Sequence, residues 1–166
     1  KVDTATLAYM RVLDFWGQSG SLAVVVPNAW LTASGEVFDQ PRSISRTGLA
    51  DITARLSINL FGAPALTLPE FARYQQDTIV GVTLLVTAPT GQYDPSKLVN
   101  IGTNRWSFKP EVGVSKALGP WTLEAAAGVT FFTDNDQFFG NGVRQQDPLY
   151  SVQGHAIYNL NPKLWV

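Results

Sequence analysis

The stretch Trp121-Thr122-Leu123-Glu124-Ala125-Ala126-Ala127-Gly128-Val129-Thr130-Phe131-Phe132-Thr133 decides the fold. Its odd positions are Trp121, Leu123, Ala125, Ala127, Val129 and Phe131; its even ones are Thr122, Glu124, Ala126, Gly128 and Thr130. Successive side chains of a strand point to opposite faces, so one face here is apolar and the other carries a carboxylate. A strand between lipid and a polar lumen needs that division, over roughly 9–11 residues when tilted across a bilayer. The pattern predicts an all-β fold, an antiparallel transmembrane β-barrel.

Comparable runs occur at about 4–16, 21–34, 48–61, 78–90, 106–118 and 149–160, and another begins at 163. That makes about 7–8 visible strands in a barrel of even, short-turned hairpins. The turns Trp16-Gly17-Gln18-Ser19-Gly20, Leu118-Gly119-Pro120 and Asn159-Leu160-Asn161-Pro162 are Gly-, Pro- and Asn-rich, as tight hairpins require. The connections near 35–47, 91–105 and 134–148 are longer and polar. Short turns at one end and long loops at the other put the short side in the periplasm. Residues 62–77 break this alternation and read as an irregular loop, with Pro69-Glu70-Phe71-Ala72-Arg73-Tyr74 as the alternative of one helical turn.

The 166 residues form a single domain, 1–166. Lys163-Leu164-Trp165-Val166 reads as a strand just starting, so the expectation is a trimmed piece of a larger barrel, incomplete at its C-terminus. Charged residues make up 15% of the chain, below the roughly 25% of soluble domains. Mean hydropathy is only +0.03, and no run of about 18 apolar residues offers a membrane helix. A net charge of −1 with scattered Lys and Arg gives no reason to expect nucleic acid. The chain has no Cys, which removes disulfides and thiolate chemistry together.

Facing follows from the alternation. In 48–61, Ala50, Ile52, Ala54, Leu56, Ile58 and Leu60 oppose Asp51, Thr53, Arg55, Ser57 and Asn59. In 106–118, Trp106, Phe108, Val112 and Val114 face lipid, against Ser107, Lys109, Glu111 and Ser115. Pro27 interrupts the second strand and marks an edge or a bulge. Trp16, Trp106, Trp121 and Trp165 fall at strand ends, where an amphipathic ring sits at headgroup level; aromatics of a sandwich core would lie mid-strand.

The lumen set is Asp51, Arg55, Lys109, Glu111, Glu124 and His155. Mixed charges inside a barrel either pair across strands and fill the interior or line a polar passage. His155 is the one histidine, and the positions two away are Gln153 and Ile157, so no Ser-His pair is present and no catalytic residue is expected. Asp134-Asn135-Asp136 resembles the start of a calcium loop, but Phe139 stands at the sixth position and Gln145 at the twelfth; neither a metal site nor a cofactor is expected. Phe38, Tyr93, Phe138 and Phe139 lie in long loops, where water disfavours them unless they pack or meet a ligand. Tyr93, Phe138 and Phe139, with Arg105 anchoring the loop, make a candidate gate at the barrel mouth.

The run Ala88-Pro89-Thr90-Gly91-Gln92-Tyr93-Asp94, followed by Lys97-Leu98-Val99-Asn100-Ile101-Gly102-Thr103-Asn104-Arg105-Trp106 and Pro110-Glu111, resembles the outer-membrane family known as the meta-pathway of phenol degradation proteins. The resemblance continues more loosely through Gly119-Pro120-Trp121 and Phe131-Phe132-Thr133-Asp134-Asn135, and covers residues 1–77 mainly in pattern. It implies a barrel in the outer membrane of Gram-negative bacteria, associated with uptake of aromatic or other hydrophobic compounds. Within the motif, Gly91, Asn100, Gly102 and Asn104 are read as residues able to take left-handed conformations.

The expectation is therefore a passive outer-membrane channel for small hydrophobic or aromatic solutes, in contact with lipid and lipopolysaccharide. Two rivals stand beside it. A closed barrel of about eight strands would be filled by side chains and conduct nothing. A soluble lipocalin-like binding barrel would turn its apolar residues inward.

Overall fold

The computed structural model describes residues 1–37, 40–161 and 164–166. In chain order the strands are β1 (Val2–Phe15), β2 (Gln18–Val37), β3 (Gln40–Leu49), β4 (Thr53–Phe61), β5 (Thr78–Thr87), β6 (Ser107–Leu118), β7 (Trp121–Phe132), β8 (Asn135–Phe138), β9 (Gly142–Arg144), β10 (Leu149–Asn161) and β11 (Leu164–Trp165). One antiparallel sheet runs β1-β2-β4-β5-β6-β7-β10-β11, with β3 continuing β4 alongside the far half of β2; β8 and β9 form a separate small hairpin. It is a half-barrel. Among the described residues β1 and β11 do not pair with each other.

Register makes each cross-strand row uniform in chemistry. Ile58, Val82, Val112, Ala127 and Val152 align in one row, and Ala54, Val86, Phe108 and Phe131 in another. These rows form the convex face, where Val82, Val112 and Val152 are exposed to their surroundings. Neighbouring rows run Ser57, Thr83, Glu111, Gly128 and Ser151, and Asn59, Gly81, Gly113, Ala126 and Gln153. Hydroxyls meet across the sheet on this concave side: Ser57 with Thr83 at 2.9 Å and Thr53 with Thr87 at 3.0 Å. A single-residue slip would exchange lipid and lumen faces, so the pattern itself fixes the register.

The turn after β1 has two residues, Trp16 (φ 55°) and Gly17 (φ 83°). Positive φ at both central positions is the type I′ geometry whose twist matches the flanking strands. Asp14 Oδ1 accepts the Gly17 N–H at 2.7 Å, and the Trp16 ring is 90% exposed. Trp121 opens β7 at the same end, while Trp106 precedes β6 at the other and stacks on Phe108 at 6.1 Å. Phe38 and the Trp165 side chain lie outside the described residues.

Three readings of the sequence are corrected. The run 48–61 is two strands, because Ala50-Asp51-Ile52 bulge between the pairs Asn28↔Leu49 and Val25↔Thr53. Pro27 lies opposite, accepting the Ala50 N–H at 2.8 Å and lacking an N–H to return, so the ladder is already interrupted there. Second, 35–47 is largely a continued hairpin of β2 and β3. Third, 62–77 contains one helical turn, α1 (Leu68–Phe71), with Pro69 in its first turn. Glu70 accepts the N–H (2.9 Å) and the hydroxyl (2.6 Å) of Thr67; the hydroxyl bond first, then the backbone bond, holds its carboxyl below the usual range. Residues 63–65 lie against the first turn through Ser19 N–Ala63 O (2.8 Å) and Ala65 N–Gly17 O (2.9 Å).

Candidate functional site

The concave wall carries a groove of about 320 Å³ lined by Arg55, Glu111, Glu124, His155 and the small residues Gly81 and Gly113. Lys109 Nζ and Glu111 Oε2 are 2.9 Å apart along β6. Glu124 faces His155 across β7 and β10 at 3.4 Å and accepts the Ser115 hydroxyl at 3.2 Å. Gln76, at the end of the 62–77 connection, reaches the same Ser115 at 2.7 Å. Arg55 shares its row with Ala23 and Leu85 and has no ion-pair partner among the described residues. The structure thus brings Arg55, Lys109, Glu111, Glu124 and His155 onto one wall.

Asp51 is not among them. The bulge carries it to the rim, where Oδ1 accepts the Gly91 N–H (2.8 Å) and Oδ2 accepts the N–H (2.7 Å) and hydroxyl (2.6 Å) of Thr103. A carboxylate receiving several N–H and O–H donors is a strong anchor, so Asp51 holds the loop 88–106 to the barrel. Thr90 adds a bond to the Ile52 N–H at 2.9 Å.

The glycines of this loop serve a purpose other than the left-handed conformations read from sequence, since only Asn104 among the four has positive φ, 53°. A Cβ on Gly91 would lie 2.8 Å from both Asp51 Oδ1 and Gly102 Cα, and one on Gly102 would lie 2.7 Å from the Gly91 carbonyl carbon. Two backbone strands touch there. Gly102→Val should therefore open the loop while leaving the belt folded; unchanged protease resistance of 88–106 in the folded barrel would refute this.

Beyond the crossing, Asp94 accepts the Ser96 hydroxyl (2.6 Å) and N–H (3.0 Å) and pairs with Lys97 at 2.6 Å. The Lys97 bond first, then those from Ser96, hold its carboxyl well below its ordinary value of 3.8. A depressed folded-state pKa gives support that is complete above the ordinary value and lost only as pH falls through the lower folded one. Acid titration followed by backbone NMR should find 94–100 ordered through the range where free aspartates protonate; collapse of the loop at the ordinary value would contradict it.

The second loop is tied to the first by Asn135, 1% exposed. Its Nδ2 donates to Tyr93 Oη (2.9 Å) and the Thr103 carbonyl (3.2 Å), and its Oδ1 accepts from Asn104 Nδ2 (2.9 Å) and the Gln137 N–H (3.0 Å). Tyr93 in turn donates to the Gln137 carbonyl at 3.0 Å. The three aromatics expected at the mouth take separate places. Tyr93 braces the loops through its hydroxyl, Phe138 lies under Arg144 (5.7 Å to the ring centre), and Phe139, at φ 45°, is exposed. Sequence reasoning missed Asn135 as the hub, reading it within an acidic tripeptide and at the end of the resemblance stretch Phe131–Asn135.

Arg105 is 7% exposed, two residues before β6, with its guanidinium 4.4 Å from the centre of the Phe132 ring. Phe132 pairs with Ser107 on the concave face, so Arg105 sits inside the mouth. Nη2 donates to Gln146 Oε1, and Nη1 is buried with no partner. Burial first, then the charge of Arg144, lowers its pKa. Among the described residues no group of three or more His, Cys, Asp or Glu comes together as a metal site.

Comparison with known proteins agrees with this architecture. The crystal structure of the COG4313 outer membrane channel from Pseudomonas putida F1 is similar at a TM-score of 0.75 and 24% identity, over 97% of this chain. The chain spans 56% of that channel's length. No curated protein matches the sequence. The family described as "Putative MetA-pathway of phenol degradation" matches residues 1–166, and the chain belongs to it.

Proposed function

We propose that this half-barrel forms part of the wall of a passive channel in the bacterial outer membrane for small hydrophobic or aromatic solutes, with no enzymatic step. The observation that carries the reading is the pair of small residues opposite each other on the concave wall, Gly113 and Ala126, both lining its groove. These small side chains leave space in the groove of about 320 Å³, whose other lining includes hydroxyls and charges, and give a flat ring a place to lie. The family description, naming phenol degradation, and the likeness to an outer-membrane channel support the same reading. Lipid and lipopolysaccharide are the partners expected for the convex face and the long-loop side. The outward apolar rows argue against the lipocalin-like rival.

The test is reconstitution of the intact native protein in planar bilayers and proteoliposomes. Ion conductance together with uptake of phenol-sized solutes is expected. A correctly folded barrel showing neither would favour the structural rival.

A further inference from the structure

We propose that Arg105 binds the carboxylate of a small aromatic acid in the barrel mouth, with Gln146 as the group the carboxylate displaces. The proposal rests on the channel reading and adds the charge class of the solute.

A guanidinium presents a planar fork of donors that matches a carboxylate with two parallel bonds. In Arg105 one arm of the fork meets a neutral carboxamide oxygen, that of Gln146, and the Nη1 arm meets nothing. No carboxylate among the described residues lies within ion-pair distance of it. A buried charge left this way is unfavourable, because removal from water has not been offset by an opposite charge. One carboxylate would satisfy both arms. Gln146 lies between β9 and β10, outside regular secondary structure, so withdrawing its side chain disturbs no strand ladder.

The surroundings select further. The Phe132 ring already lies against the guanidinium, giving the site a flat apolar surface beside its charge. Deeper on the wall, Arg55 has no acidic partner among the described residues and shares its row with Lys109, whereas Glu111 is paired with that lysine. The upper wall therefore favours an anion moving inward.

The experiment measures binding of benzoate, benzyl alcohol, acetate and inorganic phosphate to the intact native protein in detergent by calorimetry, with proteoliposome uptake of the first two. Benzoate should bind about tenfold or more tighter than the others, and Arg105→Gln should bring it down to the affinity of benzyl alcohol, as loss of a charge-assisted pair implies. Gln146→Ala should tighten benzoate binding. Equal affinity for benzoate and benzyl alcohol, phosphate binding as tight as benzoate, or no effect of Arg105→Gln would overturn the proposal. If Arg105→Gln fails to fold, Gln146→Ala decides: unchanged or weaker benzoate binding overturns it. Benzyl alcohol crossing without selective benzoate binding refutes this site alone; benzoate binding with no solute crossing refutes the channel reading instead.

Discussion

Asn135→Leu should unlock the mouth of the barrel. The carboxamide uses all its hydrogen-bonding capacity, two bonds given and two accepted, and its side chain is buried. Leucine of similar size would leave the Thr103 carbonyl, the Asn104 amide and the Gln137 N–H without this partner and take from the Tyr93 hydroxyl the bond it accepts. An unsatisfied buried group costs about 1–3 kcal/mol, and because Thr103 and Gln137 are exposed to water, local opening should become easier by about that much rather than by a sum over all four. Hydrogen exchange should show loss of protection across 93–104 and 134–138, with β5, β6 and β7 unchanged. Equal protection in variant and parent would mean that the loops are held by something other than this hub.

The second large effect concerns the belt. Ile58 lies in the row Ile58, Val82, Val112, Ala127 and Val152 on the convex face, while its neighbour Ser57 pairs with Thr83 on the other. Ile58→Arg should cost roughly 2–4 kcal/mol near the bilayer midplane, whereas Ser57→Arg faces polar surroundings and should cost much less. Folding titrations of the intact protein into lipid vesicles compare the two. Equal penalties would reverse the assignment of faces.

The belt was legible in the sequence because lipid and lumen impose opposite chemistry at a period of two. Trp121–Thr133 and 106–118 form strands β7 and β6 at nearly the boundaries read from them. The same logic fails for 35–47, where the hairpin has left the hydrocarbon and Ser43, Ser45, Arg46 and Thr47 need no apolar face to be a strand. Asp51 fits the lumen parity of 48–61, but parity assumes an unbroken strand and the bulge resets it. The mouth was hardest to read. Arg105 stood out by its place in the motif, yet its partner Gln146 is 41 residues away with no periodic signal. Asn135 gathers its bonds from residues 31 to 42 positions earlier and from Gln137 two positions later.

The length of β2 sets how far this protein stands out from its membrane. Its outward positions are Leu22, Val24, Val26, Asn28 and Trp30, then Thr32, Ser34 and Glu36. Lipid contact therefore ends near Trp30, and the seven residues Leu31–Val37 continue as strand beyond it. At about 3.3 Å per residue they extend roughly 20 Å. The β2–β3 hairpin therefore continues as a two-stranded ribbon past the end of the apolar belt, on the side of the long loops.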